Sequence, residues 1–149
     1  MNHTINLAQH PAPGRTFTVL LSPTRRGARL ARLLTTAHLG HWGLPAESAA
    51  HIVGELSANA MTHGRVPGRD FQLSLMVHGR ALLRIEVSDA RGERLPPGPG
   101  TAVIPAGDAE SGRGLLIVDS LADRWGVTPG PFPRKTIWAE LDLVPHGGQ

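Results

Sequence analysis

Two stretches of alternating apolar and polar residues, Asp70–Val77 and Ala81–Asp89, are separated only by His78-Gly79-Arg80. Side chains on a strand point to opposite faces with a period of two, so this pattern spells a β-hairpin. The rest of the chain must pack around it. Upstream, Thr16–Ser22 is rich in β-forming residues and reads as a strand. Pro23 and Thr24 then open a helical segment with apolar positions Ala28, Leu30, Ala31, Leu33, Leu34, Ala37 and Leu39, and with Arg25, Arg26, Arg29 and Arg32 on its wet side. Gly40–Pro45 breaks it. A second helix starts near Ala46, with Glu47 in its first turn, and runs to His63, with Gly64 as its C-terminal cap.

Beyond the hairpin, Arg91–Glu110 is a long loop dense in Pro and Gly, a length that is often functional inside a compact domain. Gly112–Leu121 opens with Gly-Arg-Gly and continues as an apolar helix. Arg124–Thr128 and Thr136–Leu143 read as closing strands joined by the turn Pro129–Pro133. Five strands with grouped helices give an α+β, two-layer sandwich. It forms one domain over residues 16–143, between a flexible N-terminal tail (1–15) and a short C-terminal tail (144–149).

Composition narrows the function. The chain has 149 residues, 40% hydrophobic but only 4% aromatic, so its interior rests on Leu, Val, Ile and Ala. Trp42, Trp125 and Trp138 read as core or interface anchors. With no Cys, disulfides, thiol nucleophiles and thiolate metal sites are excluded. No apolar run approaches the roughly 20 residues that span a bilayer, and Met1–Arg15 lacks the marks of a signal peptide. The expectation is a cytoplasmic protein with no membrane partner. The net charge of +3 comes from scattered arginines without a recognition-helix or ribbon pattern, so no direct nucleic-acid contact is expected. The histidines lack zinc-ligand spacing.

Three local features carry chemistry. Glu55, Asn59 and His63 are spaced by four and share one side of the second helix, where an acid and an amide suit a hard cation and a proton acceptor. Asp89 ends an apolar strand, where a carboxylate can accept from an exocyclic amino group. Ser111-Gly112-Arg113-Gly114 precedes a helix, where glycines admit a phosphate, free N–H groups attract it and Arg113 can add a charged fork. Taken singly, each also reads as an ordinary polar stripe, turn residue or loop-to-helix junction. His63, beside Gly64, reads as a cap or packing residue.

Their order is more telling than any one of them. Glu55-Leu56-Ser57-Ala58-Asn59-Ala60-Met61-Thr62-His63-Gly64 resembles the N-box of the histidine-kinase-like ATPases, Val87-Ser88-Asp89 their first glycine box and Gly112-Arg113-Gly114-Leu115 their second. Ala122–Val127 and Lys135–Leu141 look like the compact anti-sigma-factor serine kinase branch. The resemblance spans roughly Thr16 to Leu143. It implies the two-layer sandwich of the Bergerat type, a mixed, mostly antiparallel sheet with helices on one face. It further implies ATP and Mg2+ as cofactors. Asn59 would hold the metal, Glu55 would orient or deprotonate the attacking hydroxyl, and Asp89 would accept from adenine with Thr136 beside it. Gly112, Arg113, Gly114 and Leu115 would form the phosphate end, with 91–110 as a lid. Where the superfamily continues Asp-x-Gly-x-Gly, this chain has Asp89-Ala90-Arg91-Gly92-Glu93, which puts Arg91 at the nucleotide. The implied function is a serine/threonine kinase that sequesters a sigma factor and phosphorylates an anti-anti-sigma partner. A binding module that holds its partner without phosphorylating it is the alternative. Homodimerisation, frequent in small regulators of this type, is left open by the sequence.

Overall fold

The computed structural model of the protein describes residues 15–92, 110–131 and 133–143, with side chains described from Gly114 onward in the second stretch. Residues 1–14 of the expected N-terminal tail (1–15), the expected C-terminal tail (144–149) and residues 93–109 of the expected lid (91–110) lie outside these residues. In chain order the elements are β1 (Thr16–Leu21), α1 (Arg25–His41), α2 (Glu47–Thr62), β2 (Phe71–His78), β3 (Leu82–Asp89), α3 (Glu110–Leu121), β4 (Arg124–Pro129) and β5 (Lys135–Asp142). The strands form one sheet in the order β1-β2-β3-β5-β4. Every pairing among the described strands is antiparallel, the direction expected to predominate in the sheet.

Alternation decides which side of the sheet is covered. Leu73, Leu75 and Val77 of β2, Leu83, Ile85 and Val87 of β3, and Ile137 and Ala139 of β5 are all buried. They meet Ile52, Val53, Leu56 and Ala60 of α2, with Leu115 and Val118 of α3 in the same cluster. Each large aliphatic side chain withdrawn from water in this way contributes about 1.5–3 kcal/mol before entropy is counted. The other face carries Arg84 and Glu86 of β3 and Trp138 and Glu140 of β5, all only half-buried.

α1 begins under a Thr24 cap, whose hydroxyl accepts from the Gly27 N–H at 3.2 Å. Its buried row is Gly27, Ala31, Thr35 and Leu39, mostly small residues spaced by four. Small residues draw the helix close. A Cβ on Gly27 would lie 1.9 Å from the Ser22 carbonyl oxygen. The close seat rotates Leu30 and Leu33 outward to 42% and 59% exposure, although both were expected on the apolar side. α3 starts at Glu110, two residues before the expected Gly112, which places Gly114 inside the helix rather than ahead of it.

Candidate functional site

α2 organises the site. Glu55, Asn59 and His63 advance along one stripe by about 6 Å per step, and each end of the stripe meets a different element. At its first end, Glu55 faces α3, where a Cβ on Gly114 would sit 2.9 Å from Glu55 Oε1. Glycine at 114 therefore lets α3 lie directly against the glutamate. His51, one turn back, places its Nε2 3.8 Å from Glu55 Oε2.

At the far end, His63 is the C-cap of α2, its N–H donating to the Asn59 carbonyl at 2.8 Å. Gly64 follows, but its φ is not in the left-handed region that a glycine cap would use. Its reason is space, since a Cβ there would fall 2.1 Å from Asp89 Oδ2. The end of α2 and the end of β3 thus meet at one carboxylate. Asp89 is 4% exposed, and its Oδ1 accepts the Arg91 backbone N–H at 2.8 Å. The Arg91 guanidinium reaches the Arg65 carbonyl at 3.3 Å, just beyond α2.

Between these ends stands Asn59. It is 8% exposed, yet its side-chain amide makes no hydrogen bond to any described residue. An amide oxygen is of the kind that ligates hard cations. No cluster of three or more acidic or histidine ligands exists among the described residues, so a metal here would draw most of its ligands from elsewhere.

Two expected site residues sit differently. Thr136 pairs with Ser88 across β3 and β5, and the two hydroxyls bond at 2.7 Å. Strand alternation puts both on the open face, the opposite face from Asp89. The residue that faces Asp89 is Lys135, buried at 1% exposure with its Nζ 3.2 Å from Asp89 Oδ2. Leu115, expected at the phosphate end, packs its side chain into the apolar core. Gly112 and Arg113 lie in the first turns of α3, and their side chains fall outside the described set. Lys135 is not among the site residues that the sequence predicts. Its one signal is that it is the only lysine in the chain.

The fold is one that a known family of domains shares. The chain belongs to the histidine kinase-like ATPase domain family, whose model matches residues 21–138. Among solved structures, it is similar to the RsbU and RsbW domains of Rv1364c from Mycobacterium tuberculosis, with a TM-score of 0.66 and 18% identity. The match covers 89% of this chain and 33% of that one, so this chain spans about a third of the length of the structure it resembles. At that identity the likeness establishes the fold. No curated protein matches the chain. No helix among the described residues is long and apolar enough to cross a membrane.

Proposed function

We propose that the protein is an ATP-binding anti-sigma regulatory factor acting as a serine/threonine kinase, one that sequesters a sigma factor and phosphorylates a STAS-type anti-anti-sigma partner. The observation that carries this reading is the stripe on α2, with Glu55 against Gly114 at one point and Gly64 against Asp89 at the other. Membership of the ATPase family and the RsbW likeness support the same direction.

Mg-ATP, when bound, supplies the phosphoryl group and the cation that neutralises its charge. Asn59 offers its amide oxygen to that cation. Asp89, kept in place by the Arg91 N–H and Lys135, accepts from the base. Glu55 is partly open to solvent and among the described residues pairs only with His51, which leaves its carboxylate able to orient the partner's hydroxyl and take its proton. Phosphoryl transfer depends mainly on positioning and charge, so few groups suffice.

A second reading has its own support. Both Asp89 oxygens already have protein partners, and Arg91 stands where a glycine was expected, which suits a module that binds its partner without transferring phosphate. One assay separates the two. The protein is incubated with radiolabelled Mg-ATP and the partner. The kinase reading expects label on the partner, and loss of it in Glu55→Ala with partner binding retained. Tight partner binding by wild type with no label at all defeats it.

A further inference from the structure

Lys135 plays only a supporting part in the catalytic scheme, yet it is the single lysine among fifteen basic residues and is 1% exposed. Lysine is rarely buried this fully without a partner. Its ammonium lies 3.2 Å from Asp89 Oδ2 and donates to the Arg91 carbonyl at 3.0 Å. An ammonium is a compact charge with three donors, whereas a guanidinium is a wider planar fork. The confined space between β3, β5 and Gly64 gives a reason for the one lysine in a chain that otherwise uses arginine.

We infer that Lys135 sets the base preference of the nucleotide site, by placing a donor beside the Asp89 acceptor so that a base edge with a ring carbonyl is accepted as well as one with an amino group. This rests on the proposal that Asp89 meets the base. A carboxylate alone offers only acceptors. It takes the adenine amino group and rejects a guanine carbonyl, because oxygen would face oxygen with no proton between them and buried polar groups would be left unpaired. With Lys135 in place the balance changes. Two of its three N–H groups serve Asp89 and the Arg91 carbonyl, and the third has no partner among the described residues. A group bonded to Asp89 Oδ2 at about 2.9 Å shares that oxygen with the ammonium and lies about 5 Å from it at an ordinary angle of approach, and never beyond about 6 Å. A guanine carbonyl is attracted there, while the ring N–H next to it donates to Asp89. An adenine amino group still finds the carboxylate, but without the exclusive advantage a lone aspartate would confer.

The test compares Mg-ATP and Mg-GTP binding to the intact protein by titration calorimetry, in wild type, Lys135→Met and Lys135→Gln. Wild type is expected to hold the two nucleotides within about tenfold of each other. Lys135→Met is expected to prefer ATP by at least ten times more than wild type, mainly through lost GTP affinity. Lys135→Gln, which keeps a donor without charge, falls between. A wild type that rejects GTP by a hundredfold or more overturns the inference, and this measurement needs no variant to fold. An ATP/GTP ratio unchanged in both folded variants also overturns it. ATP binding with strong rejection of GTP removes the inference alone, whereas failure of wild type to bind either nucleotide removes the ATP-binding reading beneath it.

Discussion

Because the Asn59 amide has no partner among the described residues, its removal strands none of them. Asn59→Ala is therefore expected to change stability by less than about 1 kcal/mol while abolishing Mg-ATP binding. Circular dichroism and calorimetry on the same sample check both halves, and undiminished ATP affinity contradicts the metal role. Gly64 is the opposite case. A methyl group there collides with the Asp89 carboxylate, which is itself held by Lys135 and Arg91 and cannot simply swing away. Gly64→Ala is expected to cost about 1–3 kcal/mol, as overpacking does, and to weaken nucleotide binding with it. Urea unfolding gives the first quantity and calorimetry the second; a variant as stable as wild type would show that Asp89 is not clamped.

At the scale of elements, α1 presents a groove of about 530 Å³ lined by Arg25, Arg26, Arg29, Leu30 and Leu33. Four of the helix's arginines, Arg32 included, stand on its exposed surface beside two leucines, a combination suited to an acidic partner with an apolar patch. Reversing charge in Arg25→Glu/Arg26→Glu/Arg29→Glu is expected to lower partner affinity at least tenfold and leave ATP affinity unchanged, measured by surface plasmon resonance and calorimetry. Equal partner binding by both proteins places the contact elsewhere. On the open face of the sheet, Arg84 donates to Glu86 and to Glu140, each at 2.7 Å, and stacks over Trp138 at 4.5 Å. Arg124 donates to Glu140 at 3.0 Å and also pairs with Asp142. Burial alone would push the Glu140 carboxyl up, but the hydrogen bonds from Arg124 and Arg84 together outweigh it and hold the group below its ordinary value. A carboxylate lowered in the folded state contributes stability that is fully present above its unfolded value and is lost as pH falls through the folded one. Glu140→Gln is thus expected to be less stable than wild type near neutrality, with the gap closing below about pH 4.5. Denaturant midpoints across pH 3–7 follow this, and a gap independent of pH would rule out the ionic origin.

For the molecule as a whole, a ligand that binds only the folded state stabilises it by mass action. Mg-ATP at a hundredfold excess over its dissociation constant adds about 2.7 kcal/mol, or roughly 8 °C in melting temperature for a domain of this size. An unchanged melting temperature at millimolar Mg-ATP argues against a working site. The architecture was largely legible from the chain because period-two alternation at Asp70–Asp89 and four-residue spacing in α2 are local signals. What was not legible depended on contacts between distant segments. A one-residue difference in register decides whether Lys135 or Thr136 shares a face with Asp89, and no local pattern reports it. Gly64 was read as a cap because it follows a helix, while its actual constraint comes from a strand much later in the chain. Leu30 and Leu33 counted as core by composition, but a small-residue row took the buried side. The side chain of Trp125 joins α3 to β4, its indole N–H donating to Asp119 at 2.8 Å while its ring is buried. An indole so placed is a built-in optical reporter: with Trp42 and Trp138 replaced by Phe, the emission of the remaining ring shifts in wavelength if nucleotide draws α3 toward or away from the sheet, and occupancy can be read in real time without a label.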